Sequence, residues 1–111
     1  MPSATSTNFL HNNWMQFLLE GAAFTPPASL WLGLFTTVPG LAGTGGVEVS
    51  TSGTAYGREE IVSTGASWSG PSGTNQEYSN AADITYNVPT ANWGTITGAG
   101  LFDAETSGNL L

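Results

Sequence analysis

From Asn8 to Gly21 the apolar residues Phe9, Leu10, Trp14, Phe17 and Leu18 recur at helical spacing, which gathers their side chains on one face. Thr7 or Asn8 is placed to cap the start, and Gly21 to stop the last turn. Asn12, Asn13, Gln16 and Glu20 fill the other face. The pattern predicts one amphipathic helix over residues 8–21, about three and a half turns long and marginal in water until its aromatic stripe is covered. Its default cover is the chain's own sheet; packing across subunits is the alternative.

Beyond Pro26-Pro27 the period shortens to that of strands. Leu30, Leu32 and Leu34 alternate with Trp31, Gly33 and Phe35, so Ser29 to Thr37 has two apolar faces and reads as a central strand. Pro39 to Gly46 is turn chemistry, followed by a short extended piece from Val47 to Ser50. Tyr56 to Ser63 reads as a strand with one wet face near a sheet margin. Ser67 to Asn75 is polar and glycine-punctuated and reads as a loop, mobile or held by a neighbour. Ile84, Tyr86 and Val88 share one side of a predicted strand from Ala82 to Val88, and a further strand is expected from Thr95 to Phe102, whose interior glycines mark close backbone approach or a bulge. Asp103 to Asn109 supplies a hairpin-like turn, after which Leu110 and Leu111 start a strand that goes no further, leaving an open edge of the kind partners cover.

The fold class that follows is mainly β: an antiparallel β-sandwich or an open barrel-like sheet with one N-terminal amphipathic α-helix. Residues 1–111 form a single domain, with 1–6 a flexible N-terminus and strands and loops over 29–111.

Composition narrows the function. Hydrophobic residues make up 40% of the chain but charged residues only 8%, against about 25% in typical globular chains. Ser, Thr, Asn and Gly therefore have to keep the surface wet. A formal charge of −7, with one Arg and no Lys, argues against nucleic acid or an anionic membrane as partner. With no cysteine there is no disulfide, thiolate metal site or cysteine nucleophile. No stretch approaches the ~20 apolar residues that span a bilayer, and no leader pattern is visible.

No constellation for catalysis emerges. His11 is the single histidine and has no acid near it in sequence. Glu59 and Glu60 are strand neighbours and point to opposite faces, and Asp103 with Glu105 selects no partner. The glycines from Gly40 to Gly46 precede a strand rather than a helix, so they are not a phosphate loop. The oxygen-rich run Asp103 to Asn109 is the best Ca²⁺ candidate, but its residues are also those that tight turns select. The expectation is no enzyme, no cofactor and no metal.

Trp14 and Trp31 lie on apolar periodicities and read as core. Trp68 and Trp93 sit at a loop and a strand entrance, as packing or interface anchors, or, with Tyr78, as glycan contacts. Candidate interface residues are Phe9, Trp14, Phe17, Trp68 and Trp93. Arg58 is the sole strong cation, and its planar fork suits a structural ion pair with a carboxylate.

Several blocks in order carry a resemblance over most of the chain: Leu30 to Thr37 with Pro39, Gly45 to Ser50, and Tyr56-Gly57-Arg58. The most specific follow, namely Ala82 to Tyr86, Pro89 to Ala91, Trp93 to Thr97, Gly100 to Ala104 and Ser107 to Leu111. In these the chain resembles a family of small tailed-phage virion proteins known as phage tail fibre proteins, with relatives serving as capsid cement or decoration proteins, including in cyanophages. The resemblance implies a non-catalytic structural role and transfers no active-site residues. The leading expectation is a capsid cement protein on the outer surface of the head, a homotrimer bridging major capsid or other virion subunits. The alternative is a tail fibre or tail-associated adhesin that binds host surface glycan.

Overall fold

The computed structural model describes residues 6–111; residues 1–5 of the N-terminal stretch expected to be flexible lie outside it. One helix, α1 (Asn8–Glu20), precedes six strands: β1 (Ser29–Thr37), β2 (Val47–Glu48), β3 (Glu59–Val62), β4 (Trp68–Ser72), β5 (Glu77–Asn80) and β6 (Gly98–Phe102). All pairings are antiparallel, in a four-stranded sheet around β1 and a separate β4–β5 hairpin, with no closed barrel. The mainly β class with one helix holds.

The apolar run of β1 is central because both its edges are paired. Trp31 lies opposite Glu60 on one side and Phe102 on the other, and Phe35 lies between Glu48 and Gly98. So β6 takes one edge, while β3 and β2 share the other end to end. Leu34 falls in the interval between those two short strands. Its carbonyl accepts the Val49 N–H at 3.0 Å and its N–H donates to the Tyr56 hydroxyl at 2.9 Å, so no backbone group is orphaned there.

Three strand expectations shift. Val47 to Ser50 contracts to β2, Tyr56 to Ser63 to β3, and Thr95 to Phe102 to β6. In the second case Tyr56 leaves the ladder to fill the interval beside Leu34. The glycine reading of β6 holds: a Cβ on Gly98 would meet Val38 Cγ2 at 2.5 Å, and one on Gly100 would meet Leu110 Cδ1 at 2.6 Å.

Two readings are overturned. Ser67 to Asn75 is not a loop, since Trp68 pairs with Asn80, Ser69 with Ser79 and Ser72 with Glu77, and the polar run Gly73 to Gln76 is the hairpin tip. Strands built from Ser, Gly and Pro carry no alternation to read. Conversely, Ala82 to Val88 is not a strand. Its period-two pattern is real, but both edges of β1 are already occupied, and Tyr86 instead reaches β1 through its side chain, donating to the Leu32 carbonyl at 2.6 Å.

The C-terminal edge is also less open than expected. Leu110 bridges back to Phe102, and the Leu111 N–H donates to the Leu101 carbonyl at 2.8 Å.

The core is thin: Phe35, Val49, Tyr56, Ile61 and Phe102 are the buried hydrophobic residues among those described. The helix expected to dock on the sheet does not. No residue of α1 is buried, no strand lies against it, and Trp14, read as core, is 53% exposed. Trp31, also read as core, is half-buried. Only the root of the helix is tied down, by Asn8 N–H to Leu41 carbonyl at 2.8 Å and Thr7 hydroxyl to Leu110 carbonyl at 2.6 Å. That second bond diverts Thr7 from capping; at the other end Gly21 takes the left-handed conformation, as read from sequence.

Candidate functional site

Arg58 sits at the junction of three segments. Its Nε and Nη2 donate to the two oxygens of Glu48 at 2.9 and 2.8 Å, a bidentate pair. Nη1 donates to the carbonyls of Ala104 and Ser107, both at 2.8 Å. The guanidinium carbon lies 3.4 Å from the centroid of the Phe102 ring, close enough for a cation–π contact. Phe102 in turn stacks on Phe35 at 5.8 Å. Gly33 leaves room for this assembly, because a Cβ there would meet Phe102 Cε2 at 2.8 Å and Glu48 Oε1 at 2.9 Å.

The same arginine occupies the oxygen-rich turn considered for Ca²⁺. Two of the turn's carbonyls bind Arg58, while Asp103 accepts the Asn109 backbone N–H at 2.6 Å and its side-chain amide at 2.9 Å. Those oxygens close a turn rather than face a vacant cradle. Among the described residues, no three acidic or histidine side chains gather as a metal site.

Glu48 also accepts the Tyr56 hydroxyl at 2.8 Å, which links the arginine to an aromatic cluster. Tyr56 and Tyr86 stack at 6.1 Å, and Trp93 stands edge-on to both at 5.4 and 6.1 Å. The Trp93 indole N–H donates to the Thr54 carbonyl at 2.8 Å. Trp93 is therefore half-buried inside the chain, packed against both tyrosines and bonded through its N–H.

The other candidate interface residues stand apart. Phe9, Trp14 and Phe17 are exposed along α1, and Trp68 is half-buried in the hairpin, which also carries the exposed Tyr78. Nothing brings these two groups together, since among the helix and strands β4 and β5 contact only each other. His11 is exposed on the helix, and Glu59 and Glu60 pair with Leu32 and Trp31, on opposite faces of the sheet. Sequence reasoning missed Glu48 as the arginine's partner and the two tyrosines as hydrogen-bonding groups. The one available signal was that a single cation among eight acidic residues has to choose one.

Ionisation of this cluster is shifted in both directions. Burial alone would raise Glu48, but hydrogen bonds from Arg58 and Tyr56 and the arginine's charge hold its carboxyl below the ordinary value of 4.5. Burial, followed by the charges of Glu59 and Glu48, pushes the Tyr86 phenol up to about 12, and burial raises Tyr56 as well. A depressed carboxyl contributes stability that is present above its unfolded value and is lost as pH falls through the folded one; a raised phenol contributes stability that is present below pH 10 and is lost as pH rises through the folded value. Stability is thus expected to be flat between these limits, to fall below about pH 4.5, and to fall again above about pH 10. Urea midpoints across pH test this, with Glu48→Gln removing the acid-side slope and tyrosinate absorbance reporting the alkaline one.

In comparison with known proteins, the model of the family described as podophage GP4 fiber I protein gp80 matches residues 5–111. No curated protein matches the chain.

Proposed function

Because this chain belongs to the family of the podophage GP4 fiber I protein gp80, we propose that, within the phage particle, it is a non-enzymatic structural subunit of the tail fibre apparatus. The observation that carries the reading is the imbalance of its apolar surface: among the described residues, five buried hydrophobic side chains stand against thirteen large exposed ones, six of them on one helix. A chain built to fold and act alone has reason to invert that ratio, whereas an assembly component completes its burial on its neighbours.

The capsid-cement role expected from the resemblance has no specific support, and the family's description favours the fibre. Association with copies of itself and with other virion proteins belongs to the same proposal, as does the absence of turnover: Glu48 and Asp103 are committed to Arg58 and Asn109, and the adjacent Glu59 and Glu60 point to opposite faces. Gold-labelled antibody against the chain, viewed on intact purified particles, tests the location. Label confined to the tail is the expected result. Label spread over the head at shell-scale copy number would overturn the fibre reading and restore cement.

A further inference from the structure

We infer that residues 103–111 form a strap that holds the root of α1 on the sheet, so that the helix root and this turn open and close as one unit while the sheet stays folded. The inference goes beyond the structural role proposed above and rests on contacts within a single chain.

The root has few other supports. The helix buries no side chain, and the irregular run 21–28 after it reaches the sheet by one backbone bond among the described residues, from the Ser63 N–H to the Ala28 carbonyl. Clefts of about 470 and about 250 Å³ are both lined by Leu10 and Leu111, so packing around the root is loose and its hydrogen bonds decide. There are two: Asn8 N–H to the Leu41 carbonyl at 2.8 Å and Thr7 hydroxyl to the Leu110 carbonyl at 2.6 Å. Thr7 is only 5% exposed, so loss of the Leu110 carbonyl would strand a buried hydroxyl without an acceptor.

Leu110 can make that bond because of its place in the pairing. It bridges antiparallel to Phe102, and its neighbours supply the bonds of the bridge: Leu111 N–H to the Leu101 carbonyl at 2.8 Å, and Asp103 N–H to the Asn109 carbonyl at 3.1 Å. The carbonyl of Leu110 itself therefore points away from β6, where Thr7 takes it. The turn that presents it is closed by Arg58, which holds the Ala104 and Ser107 carbonyls, and by Asp103, whose carboxylate accepts both donors of Asn109. Ser107 and Gly108 have φ of 53° and 72°, so Ser107 is held in a backbone region that side chains disfavour. A Cβ on Gly108 would meet Asp103 Oδ1 at 2.5 Å and Ala104 Cβ at 2.7 Å. The turn thus has one closed geometry, kept by its bonds, and Leu110 loses its position when they break. Residues 103–111 contribute none of the buried hydrophobic side chains, and segments held by few bonds and little apolar burial open below the global unfolding free energy. Coupling of this kind is reciprocal: a neighbour that fixes α1 also firms the turn, and one that grips the turn fixes α1.

Amide hydrogen exchange of the full chain, resolved by residue, tests the proposal in both directions. Asn109→Ala removes an exposed donor to Asp103 that makes no hydrogen bond to the helix. It is expected to speed exchange at Leu111 and, by the same factor of about fivefold for one lost hydrogen bond, at Asn8 and His11. Thr7→Val removes the hydroxyl at nearly constant shape and is expected to speed exchange at Asp103 and Leu111 in return, whereas Thr7→Ser, which keeps the hydroxyl, is expected to leave both at the native rate. Val49, 4% exposed and bonded to the Leu34 carbonyl at the centre of the sheet, is expected to keep its native rate throughout. An Asn109→Ala protein in which Leu111 speeds up alone, or in which nothing does, overturns the inference. So does a Leu111 that Thr7→Val leaves unmoved, or that Thr7→Ser moves as far as Thr7→Val. Acceleration of Val49 together with Leu111 overturns it as well, because the strap would then open only with the sheet. If Thr7→Val does not fold, Asn109→Ala decides by itself.

Discussion

Arg58→Ala is expected to lower the unfolding free energy by about 3–5 kcal/mol, the cost of breaking a largely buried ion pair by removing one partner, and to lower Tm by roughly 15 °C or more. The side chains of Arg58 and Glu48 are 8% and 26% exposed, so solvent screening does not reduce this pair to the value of a surface contact. The loss has three parts. Glu48 keeps its burial but retains only Tyr56 as a donor; the Ala104 and Ser107 carbonyls lose the donor that holds the turn; and the Phe102 ring loses the plane stacked on it. Arg58→Lys is expected to recover less than half, because an ammonium keeps the charge but cannot span two carboxylate oxygens and two carbonyls from one plane. Urea unfolding monitored by tryptophan fluorescence measures both. A loss under about 1 kcal/mol, the range of exposed pairs, would show that the junction does not hold the sheet and the turn together.

That the lone arginine would seek a carboxylate was legible from charge alone, but which carboxylate was not. Glu48 and Glu60 both lie in short strands that pair with β1, and in sequence they are ten and two residues from Arg58. The nearer one, Glu60, accepts from Ser29 at 2.5 Å instead. Both face the side of the sheet that carries Phe102, since Glu48 stands opposite Phe35 and Glu60 opposite Trp31; what decides is position along β1, where Glu48 and Phe102 meet over Gly33, and that register is set by long-range pairing that no local pattern encodes. The helix and β1 were legible because each follows a single period for three turns or nine residues. The β4–β5 hairpin was not, since its strands carry Ser, Gly and Pro where a reader looks for alternating apolar residues. Ala82 to Val88 failed in the opposite way: alternation reports an extended backbone with a preferred face, and whether a free strand edge remains to receive it is a property of the whole sheet. The undocked helix belongs to the same class of failure. Amphipathicity states that a cover is needed and does not state which molecule supplies it.

Phe102→Ala is expected to cost about 3–5 kcal/mol, as for other buried aromatic truncations, and to do so in a way coupled to Arg58. The ring is 7% exposed and lies between Phe35 and the guanidinium, opposite Trp31 in the β1–β6 ladder. Removing it opens a void beside Gly33, which has no side chain with which to fill it, and takes away the surface against which Arg58 is held flat. Because each residue positions the other, the double variant Arg58→Ala/Phe102→Ala is expected to fall short of the summed single losses by about 1–2 kcal/mol. Glu77→Gln, in the separate β4–β5 hairpin, is expected to add to Phe102→Ala within about 0.5 kcal/mol. Urea denaturation of the three single and two double variants, with the m-value checked for constancy, gives the comparison. Strict additivity of Arg58 and Phe102 would mean that the ring and the guanidinium are neighbours without energetic dependence. Non-additivity of the expected size makes the arginine, its carboxylate and the ring one cooperative unit that fastens the C-terminal turn to the centre of the sheet.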